Sequence, residues 1–84
     1  LVVEVLSRWT RSKDRVRKRN IYERMRIPHY WVVDPQDEVI EAYALRDNAY
    51  VLRNSGLSTG EFVHPDFSEF TFDLAALWKR PTMA

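Results

Sequence analysis

Two apolar, β-branched runs bracket one long basic stretch, and this arrangement constrains the fold more than any other feature of the sequence. Leu1-Val-Val-Glu-Val-Leu6 and His29-Tyr-Trp-Val-Val-Asp34 have the length and composition of strands. The first is apolar on both faces, as a central buried strand should be, and it begins without a polar lead-in, so a preceding segment is expected. Between the runs a helix is predicted from about Lys13 to Arg26. Thr10 or Ser12 can cap it, Asp14 suits its first turn, and Pro28 stops it. A helix of that length can cross over between parallel neighbouring strands, with right-handed connectivity.

The remaining chain reads as a meander. Pro35-Gln36-Asp37 is a turn, 38–45 a strand, Arg46-Asp47-Asn48 a hairpin turn and 49–53 a further strand. Residues 54–60 read as a loop and 61–72 as an extended segment broken by Pro65, with Asp73 capping a short helix over about 74–78. The expected class is α/β or α+β, a strand–helix–strand unit with an antiparallel meander and a short C-terminal helix, in a single domain of 84 residues.

Composition removes several kinds of chemistry. There is no cysteine, so a disulfide framework, a zinc ribbon and a thiol nucleophile are excluded. Two glycines leave no phosphate-cradling loop, and no serine-centred nucleophile elbow is present. His29 and His64 lack histidine or carboxylate neighbours at ligand spacing and are read as structural. No apolar run reaches the length of a membrane span, and the apolar start has no basic lead-in of a signal peptide. The expectation is a cytoplasmic protein.

The formal charge of +1 conceals an asymmetry. Residues 8–26 hold nine bases against two acids, net +7, whereas residues 27–84 hold four bases against nine acids, net −5. A basic block beside an acidic remainder suits an anionic partner, or else is a solvated helix face. At 100° per residue Asp14, Lys18, Ile21, Tyr22 and Met25 share one helix face, with Arg15, Arg19 and Arg26 roughly opposite.

Glu4 is the anomaly in its strand. A carboxylate among apolar residues is costly to bury unless it is paired, hydrogen-bonded or bound to a metal. It is read either as a cross-sheet ion pair or as an oxygen ligand for a hard cation such as Mg²⁺, with Mn²⁺ as the alternative ion. Lys18 lies on the inward helix face and is read either as a snorkelling lysine or as a cation facing Glu4, able to orient water or stabilise a charged transition state. Asp14 is a helix-start charge or a site residue, and Tyr22 is core or site. Asp34 before Pro35 is turn chemistry. Trp9, Trp31 and Trp78 are packing anchors.

The ordered combination Leu1–Ser7, Asp14, Lys18, Tyr22 and Pro28-His-Tyr-Trp-Val-Val-Asp-Pro35, with the ending Pro65–Trp78, resembles the Uma-two family of bacterial restriction-endonuclease-like proteins, with the fold of PD-(D/E)-x-K nucleases. The resemblance implies that Glu4 is the second acidic metal position and that the carbonyl of Val5 adds a ligand. It also implies that the lysine usual at the position of Leu6 has migrated to Lys18, supported by Tyr22, with Asp14 as the polar residue at the helix start. The family's Pro-Ser-Thr after the strand is replaced by Arg8-Trp9-Thr10, and its frequent Gly-Val by Arg26-Ile27. The family also carries an N-terminal half with a Pro-Asp metal ligand. The chain is therefore expected to be the C-terminal part of such a domain, with an open edge on its first strand.

Two functions are carried forward. The first is Mg²⁺-dependent phosphodiester hydrolysis of DNA, weak or absent in this chain alone, with Arg8, Arg11, Lys13 and Arg15 holding the backbone. The second is a non-catalytic module that binds nucleic acid or completes its sheet with a second copy or a partner chain.

Overall fold

A computed structural model describes residues 1–7 and 13–79. Its order is β1 (Val2–Val5), α1 (Lys13–Arg24), β2 (His29–Asp34), β3 (Val39–Arg46), β4 (Ala49–Leu57), β5 (Glu61–His64), β6 (Phe67–Asp73) and α2 (Leu74–Leu77). This is a mixed α+β arrangement of two sheets, β1-β2-β3-β4 and β5-β6. β1 and β2 run parallel with α1 as their connection, and every later pairing is antiparallel.

The four-stranded sheet has two differently built faces. Tyr30, Val32, Tyr50 and Leu6 form a core on one, with Val2, Tyr22 of α1, Tyr43 and Leu45 against it. Trp31, Val33, Ile40 and Ala42 form the other with Phe62 and Leu74, so the β5–β6 hairpin and α2 cover that side. The period-2 alternation of β2 supplies both cores at once, which is why its interior is buried throughout.

Local chemistry sets the boundaries. Asp34 Oδ1 accepts from the N–H groups of Gln36 and Asp37 at 3.1 and 3.2 Å and starts the turn into β3. Asp47 and Asn48, at φ 50° and 72°, make the left-handed two-residue turn of the β3–β4 hairpin. Asp73 caps α2, accepting from the Ala75 N–H at 3.2 Å. α1 ends in a Schellman motif: the Ile27 N–H donates to the Tyr22 carbonyl at 3.1 Å, and the Arg26 N–H to that of Glu23 at 3.0 Å. Arg26, at φ 56°, occupies the left-handed position that favours glycine.

Three expectations are corrected. β1 has the open edge expected of it among the described residues, but it is not buried on both faces, since Val3 and Val5 are 49% and 59% exposed. β4 continues through the polar Asn54-Ser55-Gly56 segment, because that backbone pairs with Ile40, Glu41 and Ala42 of β3; a bulge at Arg53 absorbs the irregularity. Gly56 also lets α2 approach, since a Cβ there would stand 2.7 Å from a Leu74 methyl. The third correction concerns α1. Met25 is exposed, whereas Arg15 and Arg19 reach the sheet. Acidic and tyrosine groups on the sheet draw these cations inward against the apolar periodicity of the helix.

Candidate active site

The even-numbered side chains of β1 face α1, which brings Glu4 beneath the helix. Its Oε1 accepts from Lys18 Nζ at 2.6 Å, and its Oε2 accepts from the Tyr22 hydroxyl at 3.5 Å. The Glu4 side chain is 13% exposed and that of Lys18 36%, so the pair closes over the carboxylate while the ammonium still meets solvent. Lys18 and Tyr22 are one helical turn apart, the spacing that puts both on the same stretch of β1.

A second cluster of the same composition lies alongside. Glu41 of β3 pairs with Arg15, and its Oε2 accepts from the Tyr43 hydroxyl at 2.8 Å. Arg15 also donates to the Tyr43 hydroxyl at 3.4 Å. Glu4 and Glu41 both sit opposite Val32, one from each side. Their Cα atoms are thus two strand spacings apart, about 10 Å. Burial alone would lower the Arg15 pKa, but the charge and hydrogen bond of Glu41 outweigh it and hold the guanidinium above its ordinary value. Burial, then the bond to Glu41, raises the Tyr43 pKa. Arg19 stacks over the Tyr43 ring at 5.3 Å and donates to the Tyr50 carbonyl, and Glu23 accepts from the Tyr50 N–H at 2.9 Å.

Tyr30 forms the floor. It is 1% exposed, its ring lies 5.3 Å from Tyr22 and 6.0 Å from Tyr43, and its hydroxyl has no hydrogen-bond partner among the described residues. Burial, reinforced by the Glu4 charge, pushes its pKa up to about 12, so it stays protonated.

The structure therefore brings Glu4, Lys18 and Tyr22 together. Arg8 and Arg11, and the side chains of Lys13 and Asp14, lie outside the described residues. Arg15 is engaged by Glu41 rather than projecting from the outer helix face. Glu41 and Tyr43 are the members of the site that the sequence reading missed. Their signal was the alternation Glu41, Tyr43, Leu45, which puts the carboxylate on the face of two large apolar-bodied neighbours.

On the opposite face of the sheet, one ligand atom from each of His29, His64 and Asp66 lies within 4.8 Å of the others, an arrangement that could hold a metal ion. The two histidines read as lacking such neighbours thus have them in space, supplied by the docking of β5 rather than by sequence spacing.

The sequence profile of the Uma2 family, described as "Putative restriction endonuclease", matches residues 1–76. The chain belongs to the Uma2 family. No match is found among curated proteins. In a restriction-endonuclease-like Uma2 chain a divalent metal is the usual cofactor, and the donor chemistry around Glu4 can be set against it. A hard cation takes oxygen ligands. Glu4 offers a carboxylate and the neighbouring tyrosine a hydroxyl, with the ammonium of Lys18 held at the same carboxylate. No helix among the described residues of this Uma2 chain is long and apolar enough to cross a membrane.

Proposed function

We propose that this chain carries the Glu–Lys half of a Mg²⁺-dependent phosphodiesterase site acting on DNA. The observation that supports the reading is the Lys18–Glu4 contact at 2.6 Å on the helix-covered face, with Tyr22 on the second carboxylate oxygen. Glu4 and the main-chain carbonyl of Val5 would hold the ion. When bound, Mg²⁺ or Mn²⁺ polarises a phosphoryl oxygen and lowers the pKa of a coordinated water.

The chain's own residues have separate tasks. Lys18, partly open to solvent, releases Glu4 and turns its ammonium to the scissile phosphate, where negative charge develops. Tyr22 holds the carboxylate in place as Lys18 moves. Arg15, fixed by Glu41 and Tyr43 one turn before Lys18, keeps part of its guanidinium accessible for a neighbouring backbone phosphate. Arg8, Arg11 and Lys13 add backbone affinity without sequence choice, and Asp14 serves the start of the helix.

A second reading rests on the open edge of β1, where Leu1, Val3 and Val5 are exposed. A strand from a second copy or a partner chain would cover it, and the chain would then serve as a non-catalytic module that completes a sheet or binds nucleic acid. On this reading the chain binds DNA without cleaving it.

Incubation with supercoiled plasmid and Mg²⁺ tests the first reading. Slow nicking, abolished by Glu4→Gln and by Lys18→Ala, is expected. Nicking undiminished in both variants would refute the site. Salt-dependent DNA binding without nicking, in a dimer by size exclusion, would favour the second reading.

A further inference from the structure

Two buried imidazole nitrogens, His29 Nδ1 and His64 Nε2, have no hydrogen-bond partner among the described residues. Buried polar atoms are satisfied almost everywhere in folded proteins, and each one that is not calls for an explanation, a bound ion among them. These two belong to neighbouring rings, 5.6 Å apart between centroids. His64 is fully buried, and the Asp66 carboxylate completes a set of three donors within 4.8 Å. Two observations, an orphaned nitrogen on each ring and convergent donors, therefore fall on the same residues.

We propose that His29, His64 and Asp66 form a binding site for a late first-row divalent transition ion of the Zn²⁺ or Co²⁺ class. Two imidazoles and one carboxylate suit such ions, whereas Mg²⁺ requires oxygen ligands. Three protein ligands leave a fourth position for water. The site faces the β5–β6 hairpin, on the other side of the sheet from Glu4, and does not depend on the nuclease reading.

The surroundings fit an ion. Trp31 stacks on His64 at 5.5 Å, and Phe67 lies 4.7 Å from His29 and 5.0 Å from His64, an apolar wall that limits solvent access. Burial holds both histidines below their ordinary pKa and therefore neutral, the ligating form.

Two existing contacts must yield. Asp66 is paired with Arg53 at 3.1 Å and lies 3.7 Å from Arg46; these exposed pairs are weak competitors for a metal bond. His64 Nδ1 accepts from the Asp66 N–H at 3.0 Å, which places the ring proton on Nε2. Ligation through Nε2 transfers that proton to Nδ1 and opens this bond, so the Pro65–Asp66 turn shifts as the donors draw in. Hairpin and sheet are thereby clamped by the ion.

The test is titration of metal-stripped protein with Zn²⁺ by calorimetry and with Co²⁺ by visible absorption, in excess Mg²⁺. One equivalent is expected to bind, with the absorption of nitrogen-ligated cobalt. His29→Gln and Asp66→Asn should each weaken binding at least ~10-fold, and Arg53→Ala, which frees Asp66, should tighten it. Circular dichroism confirms that the variants fold. The proposal is overturned if the wild type takes up no Zn²⁺ near 100 µM (on the order of a weak metal site), if Mg²⁺ displaces the ion, or if both ligand variants bind as the wild type does.

Discussion

Glu4 of β1 and Glu41 of β3 flank the same residue, Val32, and each is matched by a cation from α1 and by a tyrosine hydroxyl. A sheet face with two carboxylates in one row would be costly under an apolar helix. α1 solves this by presenting Arg15 and Lys18, three residues apart, rather than an oily stripe. The helix is held by charge and aromatic contact, and the same arrangement places two cations over one surface where a phosphodiester could lie.

Removing Lys18 should destabilise the fold more than neutralising Glu4. Lys18→Ala leaves a carboxylate of 13% exposure facing a helix without its ammonium. A cost of about 1–2 kcal/mol is expected, against less than about 1 kcal/mol for Glu4→Gln, which keeps a hydrogen-bonding amide. Urea unfolding of both variants and of the Glu4→Gln/Lys18→Met double variant checks this, with the double variant recovering much of the loss.

Tyr30 should make the protein sensitive to alkali. Its pKa is raised from 10.0 to about 12 in the folded state, so the folded chain keeps a proton that the unfolded chain gives up. Stability is fully present below pH 10 and is lost as the pH rises through 12, by roughly 2–3 kcal/mol. Tyr30→Phe removes a hydroxyl that has no partner among the described residues. It should be neutral or stabilising by about 1 kcal/mol at pH 7 and should reduce the loss between pH 10 and 12, read by thermal melts across that range.

Arg26→Gly should stabilise the chain. Arg26 holds φ 56° at the end of α1, a conformation that costs a side-chain-bearing residue about 1 kcal/mol. A gain of about 0.5–1 kcal/mol in chemical denaturation is expected, and a loss would show that its side chain contributes more than the strain removes.

Gly56→Ala should act in the opposite direction. The new methyl would meet Leu74 at 2.7 Å and Ile40 at 3.2 Å, pushing α2 from the sheet. A loss of about 1–3 kcal/mol is expected, accompanied by greater exposure of Trp78, whose indole N–H donates to the Ser58 carbonyl at 2.7 Å. Denaturation and tryptophan fluorescence report the two effects together.

How far the sequence reveals this molecule depends on whether the information is local. The limits of β2, the turn at Asp34, the hairpin at Asp47-Asn48 and the Asp73 cap follow from neighbouring residues and were legible. Helix periodicity put Lys18 and Tyr22 on the inward face, leaving a snorkelling lysine and a core tyrosine as alternatives, and the family resemblance implied their role beside Glu4. The Glu41–Arg15 pair was not legible from helix periodicity, since the polar sheet row, fixed only by the register of β2 with β3, overrides it. The meeting of His29 and His64 depends on how two separate sheets pack, which no spacing along the chain encodes.

Mn²⁺ binding followed by electron paramagnetic resonance reads the ion proposed at Glu4 without requiring turnover. The wild type should bind Mn²⁺, Glu4→Gln should lose that binding at least ~10-fold, and Asp66→Asn, altered on the opposite face, should retain it. Equal Mn²⁺ affinity in the wild type and Glu4→Gln would mean that Glu4 serves only as the partner of Lys18 and holds no ion.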